Sequence, residues 1–261
     1  MLSTIRNKIA VPRPVQTLLA VGFWLTVWQA LYWRTGQEIL MPSPAGTLTR
    51  LFRLAGTGPF WFTVAFSVLR ITAGFFAGVV FGALFALLTT RFAAARLLLR
   101  PAVSVMRATP VASFIILALV WIRSAWVPVF ATVVVVLPIV WENISEGIRK
   151  TDGGLLQMAE VFRFGGRKTI RLVYFPSVKP YFTAACAAGM GLSWKAGVAA
   201  EVLSSLPFSI GGYINDAKIY LDTESLFAWT AVVILLSVLL ERIILRLMKR
   251  SSRNTASAGL K

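Results

Sequence analysis

The sequence predicts an all-α membrane protein with about six transmembrane helices, and three observations carry that prediction. Of 261 residues, 57% are hydrophobic and 14% charged, whereas soluble globular chains carry roughly 45–50% apolar and about 25% charged residues. The apolar residues gather into stretches approaching the ~20 residues a helix needs to cross the hydrocarbon core. The charged minority is lopsided, with 27 Lys+Arg against 10 Asp+Glu and a net charge of +17. A nucleic-acid binder can reach that charge but not that apolarity. A multi-spanning protein whose cations collect at one membrane surface has both.

The elements follow in chain order. The first span, 15–33, follows Arg6, Lys8 and Arg13 and is edged by Trp28, Tyr32 and Trp33. Its length, the lack of a small-residue cleavage site and the similar stretches that follow separate it from a signal peptide. After the rigid turn Met41-Pro42-Ser43-Pro44, residues 47–54 read as a short amphipathic helix with Leu48, Leu51, Phe52 and Ala55 on one side. The second span, 62–90, has the uncharged core 71–90. Along it Gly74, Gly78 and Gly82 recur at four-residue spacing on one face, a stripe that lets a neighbouring backbone approach closely in lipid. The third and fourth spans are expected at 103–122 and 126–141, with Pro110, Pro128 and Pro138 kinking them or marking their ends. The fifth and sixth are expected at 182–202 and 226–245, joined by 204–225 with Pro207, Gly211 and Gly212. No soluble domain or internal repeat interrupts the pattern, and 1–261 reads as a single transmembrane domain.

Orientation follows from the positive-inside rule. With the N-terminus in the cytoplasm, residues 1–14, 91–102, 142–181 and 242–261 place 19 of the 27 Lys+Arg on the cytoplasmic side. The opposite side holds five, Arg34, Arg50, Arg53, Arg123 and Lys218, and Arg70, Arg107 and Lys195 fall within spans. Both termini are therefore expected inside, and the charge is explained by topology without nucleic acid.

Catalytic classes are handicapped by what is missing. The chain has no histidine, one cysteine (Cys186) and no Gly-x-x-x-x-Gly-Lys-Ser/Thr run to cradle a nucleotide. Metal ligation is not expected. A stand-alone secondary transporter and an intramembrane enzyme are the alternatives, disfavoured by the absence of an inverted repeat and of clustered carboxylates in the spans.

The loop 142–181 is amphipathic. Leu155, Leu156, Met158, Ala159, Phe162 and Val173 alternate with Arg149, Lys150, Arg163, Arg167, Lys168 and Arg171. Asp152 is placed to cap a helix over 155–163, Gly165-Gly166 interrupts it, and a second helical stretch over 168–174 precedes Pro176 and Pro180. Such a hairpin suits either a groove on a soluble partner or an anionic lipid surface.

The loop resembles the EAA loop of ABC importer permeases, whose pattern is Glu-Ala-Ala, three residues, Gly, nine residues, Ile-x-Leu-Pro. Here Gln157-Met158-Ala159, three residues, Arg163, nine residues and Val173-Tyr174-Phe175-Pro176 keep the spacing. Gln157, Met158 and Arg163 depart from the pattern's identities; Ala159 and Pro176 match. Gly165 and Gly166 are expected to supply the flexibility of the missing glycine. Leu40-Met41-Pro42-Ser43-Pro44, Ser67–Phe75, Met106-Arg107-Ala108-Thr109-Pro110 and Trp194–Val202 look like permeases of the nitrate/sulfonate/taurine group. The resemblance implies a type I importer fold in the bacterial cytoplasmic (inner) membrane. It implies a pathway between two permease copies, a homodimer being expected. It further implies a cytoplasmic ATPase dimer that binds ATP and magnesium, leaving no cofactor expected in this chain, and an extracytoplasmic binding protein that delivers a small, polar or anionic solute. It places Gln157, Met158, Ala159, Phe162, Arg163, Gly165, Gly166, Arg167, Val173 and Pro176 in the ATPase-coupling loop.

Charges within the spans complete the reading, because each costs at least about 2.5–3.5 kcal/mol to insert. Lys195 and Glu201 are six residues apart, about 9 Å in rise and some 240° in angle on a straight helix, and so cannot pair with each other. Lys195, with Ser193 and Trp194, is the candidate lining of the pathway. Glu201, Arg70 and Arg107 are expected in structural charge pairing, Glu201 with one of the two arginines, or with the arginines snorkelling to an interface.

Overall fold

The computed structural model of the protein describes residues 13–258; Arg6, Lys8 and Lys261 of the cation count lie outside the described residues. The chain order is α1 (Arg13–Thr35), α2 (Pro44–Ala55), α3 (Gly58–Arg91), α4 (Ala93–Ala108), α5 (Val111–Trp121), α6 (Val127–Arg149), α7 (Gly153–Val161), α8 (Gly166–Thr169), a π-helical turn (Ile170–Tyr174), α9 (Phe175–Leu203), α10 (Ile210–Ile219) and α11 (Thr223–Ala258). Four stretches are long and apolar enough to cross a bilayer: Val15–Thr35, Gly58–Arg91, Ser124–Arg149 and Thr223–Ile243.

The expected third span is not one helix. It divides into α4 and α5, bent by 109°. The cause is local: Thr109 takes an extended conformation (φ −84°, ψ 131°), as the ring of a following proline demands, and Pro110 has no N–H with which to continue the ladder. Upstream of the break, α4 is amphipathic and presents Arg96, Arg100 and Arg107 at helical spacing. The fourth span is longer than expected. Pro128 sits in the first turn of α6, where a missing donor is harmless, and the helix runs through Pro138 to Arg149, taking in eight residues of the expected loop.

The bundle is organised around α6. The stripe of Gly74, Gly78 and Gly82 on α3 lies directly against it. A Cβ added at Gly74 would stand 2.7 Å from the Val129 carbonyl, one at Gly78 2.8 Å from Val136 Cβ, and one at Gly82 2.8 Å from both the Leu137 carbonyl and Val140 Cβ. On its other side α6 packs on α9, where Val136, Val140 and Ile144 join Ala185, Cys186 and Met190 in one core cluster. A second cluster joins α3, α9, α10 and α11 through Ile71, Trp194, Val198, Ile210 and Trp229. Because α9 is covered on several sides, its buried glycines and alanines and Glu201 do not need the apolarity of a lipid-facing span. The periphery is different: on α1, Leu18, Phe23 and Trp24 are exposed, as expected of side chains that meet lipid.

Residues 36–43 and 220–223 lie at one end of the bundle. Thr223 Oγ1 donates to the Glu38 carbonyl at 2.6 Å, and Trp28 Nε1 donates to the Pro42 carbonyl. The short amphipathic helix is present as α2, capped by Ser43 Oγ, which accepts from Gly46 N at 2.9 Å. Arg50 ties it to the start of α11 by donating to Asp222 Oδ2 (2.9 Å) and Ser225 Oγ (2.7 Å). Partial burial would raise the Asp222 carboxyl, but the Ser225 hydroxyl and N–H and the Arg50 guanidinium together hold it below its usual range. The hairpin 150–174 lies at the opposite end.

Candidate functional site

The hairpin begins where Asp152 caps α7, its Oδ1 accepting from Gly154 N at 2.7 Å. Helix α7 ends in a paired closure: Phe164 N donates to the Ala159 carbonyl (2.8 Å) and Arg163 N to the Glu160 carbonyl (2.9 Å). This is the Schellman arrangement, which requires a left-handed residue at the position held by Arg163. Arg163 complies with φ +49°. A glycine meets that demand without steric cost, which accounts for the glycine in the EAA pattern at this position. Gly165 and Gly166 do not compensate, since Gly165 has φ −63° and Gly166 opens α8. Within the hairpin the left-handed conformation is needed at the end of α7, and Arg163 takes it there in place of a glycine. Arg163→Gly is therefore expected to stabilise the hairpin by about 1 kcal/mol, read as roughly fivefold slower amide hydrogen exchange over 153–164. Unchanged protection would show that no strain resides there.

Of the loop residues, Ala159 and Val173 are buried and pin the hairpin's two arms, while Gln157, Met158, Phe162, Arg163, Gly165, Gly166, Arg167 and Pro176 are exposed. Val161 and Phe162 project most, at 78% and 68% exposure. Lys168 Nζ lies over the Phe164 ring at 4.2 Å. The result is an apolar tip ringed by cations.

The second arm leads into the membrane without a break. Helical structure is continuous from Gly166 through the π-helical turn into α9. Pro176 occupies the first turn of α9, and Pro180 lies inside it. Beside the prolines, Ser177 Oγ donates to the Val173 carbonyl at 2.8 Å. The second arm thus passes through Pro176 and Pro180 into α9 as continuous helix.

On α9 the three candidate pathway residues separate. Trp194 is buried, with Nε1 donating to the Val233 carbonyl of α11 at 2.9 Å. Ser193 is buried, with Oγ donating to the Met190 carbonyl. Neither lines an open face; both belong to the subunit's own core. Lys195 is exposed on a face shared with Ala184, Ala188, Leu192 and Ala199, and Gly191 beside it meets open space.

Glu201 is completely buried and makes no salt bridge among the described residues, but of the two expected arginines Arg70 acts on it through its charge at longer range. Its Oε2 accepts from Ser67 Oγ of α3 (2.9 Å) and from Gly211 N of α10 (3.1 Å), while Ser67 Oγ also accepts from Ile210 N (2.9 Å). Oriented dipoles at a helix N-terminus thus supply its hydrogen bonds, with the Arg70 charge acting from farther away. Arg70 forms no ion pair among the described residues and lies over the Phe66 ring at 5.7 Å. Arg107 pairs with Glu142 of α6 at 2.8 Å. Ser67 and Gly211 are what sequence reasoning missed. Gly211 stands in the sequence only as part of the connection 204–225, yet a Cβ there would stand 2.4 Å from Glu201 Cβ. A conspicuous glycine pair after an intramembrane carboxylate was the available signal.

The structure is a helical bundle with an exposed hairpin whose second arm runs into α9, and Lys195 is exposed on an outer face of that helix. Residues 78–253 match the model of the binding-protein-dependent transport system inner membrane component, and the chain belongs to that family: it is the permease subunit of a binding-protein-dependent importer. It is 23% identical over 254 residues to the taurine transport system permease protein TauC of Escherichia coli, covering 90% of this chain and 89% of that one. It is 27% identical over 219 residues to the nitrate import permease protein NrtB of Synechocystis, covering 79% and 78% of the two chains. Among solved structures, an amino acid ABC transporter shares the fold, with a TM-score of 0.61 and 16% identity over 79% of this chain and 96% of that one.

Proposed function

We propose that two copies of this chain form the pathway of an ATP-driven importer for a small oxyanion. The exposed face of α9 lines that pathway, and Lys195 meets the anion. The observation that carries the reading is Lys195 itself, an exposed cation on a small-residue face of the helix that is continuous with the hairpin. The relatives support the substrate class, since their names specify taurine, nitrate, aliphatic sulfonates and bicarbonate. A separate cytoplasmic ATPase dimer binds ATP and magnesium and grips the apolar tip of the hairpin. An extracytoplasmic binding protein delivers substrate at the end formed by α2 and α10. The cation distribution supports placing both termini in the cytoplasm and the whole in a bacterial inner membrane. Nucleotide-driven movement of the hairpin turns α9 and switches the pathway between outward- and inward-facing states.

Lys195→Ala is expected to lower initial uptake of the transported anion roughly tenfold, the loss of one charge-assisted contact. Assembly with the ATPase stays intact, and Lys195→Arg retains most of the rate. Uptake in proteoliposomes measures it; an unaltered rate in Lys195→Ala would remove Lys195 from the pathway.

A further inference from the structure

A cavity of about 830 Å³ lies between the last turn of α3, the whole of α4 and the last three turns of α6, at the hairpin end of the bundle. No lining residue comes from α9, so this cavity is separate from the face that carries Lys195. Its walls bring four guanidinium groups (Arg96, Arg100, Arg107 and Arg149) against two carboxylates, Glu142 and Glu146. The carboxylates are already engaged. Glu142 holds Arg107, and Glu146 holds both Arg149 and Lys150.

The remaining donors are not all used. Among the described residues the Arg96 guanidinium donates through Nε alone, to the Thr89 carbonyl at 2.9 Å. The Arg100 side chain has no hydrogen bond or ion pair among the described residues. On the facing wall, Ser145 Oγ is buried without any hydrogen-bond partner. A guanidinium without an anion and an orphaned buried hydroxyl lining one cationic cavity are complementary to an acceptor-only, negatively charged group.

We propose that this cavity binds an oxyanion at the cytoplasmic side of the permease, with Arg96 and Arg100 as the main cationic donors and Ser145 as a neutral one. The shared chemistry is that of a phosphate or sulfate group. The volume exceeds that of a bare oxyanion, and Leu97 and Leu98 beside the arginines are 77% and 75% exposed, which favours the phosphodiester of an anionic lipid in the adjoining leaflet over a free ion. The assignment rests on the inside orientation of this end but not on the substrate reading or on Lys195.

The test uses the permease assembled with its ATPase in nanodiscs of phosphatidylcholine, with or without phosphatidylglycerol. Retained phosphatidylglycerol is read by native mass spectrometry, and sulfate binding in phosphatidylcholine alone by calorimetry. Arg100→Gln is expected to lower phosphatidylglycerol retention roughly tenfold. Glu142→Gln, which removes a competing negative charge and frees Arg107, is expected to raise it. The same opposed pattern with sulfate, in place of the lipid, would support the site and identify a free anion as its occupant. Binding of neither probe, or retention unchanged in both variants, would overturn the proposal. Equal loss in both variants would overturn it too, because it would show damage to the fold instead of altered charge complementarity.

Discussion

Gly78→Leu is expected to prevent this permease from assembling. At Gly78 a single Cβ would already stand 2.8 Å from Val136 Cβ and 3.0 Å from its Cγ1, and Val136 is fully buried with α9 packed behind it. Neither helix has room to yield. Moving α6 away would also open the contacts at Gly74 and Gly82, because the three glycines form one seam. Overpacking a tight core costs about 1–3 kcal/mol and occasionally more; a leucine at the middle of this seam belongs at or above the upper end. The measurement is recovery and thermal stability of the membrane-extracted permease–ATPase complex. Gly22→Ala, on α1 with open space around it, is the control and is expected to behave as wild type. A Gly78→Leu protein that melts with wild type would show that the seam is not a tight contact.

The second large effect is expected at the hairpin. Arg163→Glu with Arg167→Glu reverses two exposed cations beside the projecting Phe162. Both residues lie outside the membrane core, so insertion and the helical bundle should persist. Association with the ATPase is expected to fall by one to two orders of magnitude, on the scale of roughly 1.4 kcal/mol per tenfold for disrupted partner contacts. Co-purification of the tagged permease with its ATPase measures it. ATPase association equal to wild type would favour a hairpin that lies on anionic lipid.

Some of the site was readable before any fold was known. The EAA spacing located both arms of the hairpin, since a capped helix, a left-handed closure and a second helix are governed by short-range rules. Even so, the spacing did not show which residue must be left-handed. The Arg163 position follows from the 6→1 and 5→2 hydrogen bonds that end α7, and the glycine pair two residues on plays no part in that closure. The α4–α5 break was legible at Pro110 as a kink, but its size depends on how α4 and α5 each find their own surfaces of α6. The hydrogen-bond partners of Glu201 and the carboxylate that holds Arg107 were not legible. Ser67 and Glu201 are 134 positions apart, and Arg107 and Glu142 are 35 apart; nothing in the local pattern of either segment selects the other.

By itself the sequence determined that this chain spans a membrane repeatedly, with a cationic hairpin on one side. That information is additive along the chain: bilayer partitioning depends on how many apolar residues stand together and on which loops carry the cations. Only the tertiary structure decided which faces of the spans are buried and which are open. Ser193, Trp194 and Lys195 are consecutive, but each helical step turns the side chain by about 100°. Packing against α11 and α6 therefore draws Ser193 and Trp194 into the core and leaves Lys195 outside. The same packing gathers arginines of α4 around a cavity against α6, because a helix exposes whichever face its neighbours do not cover.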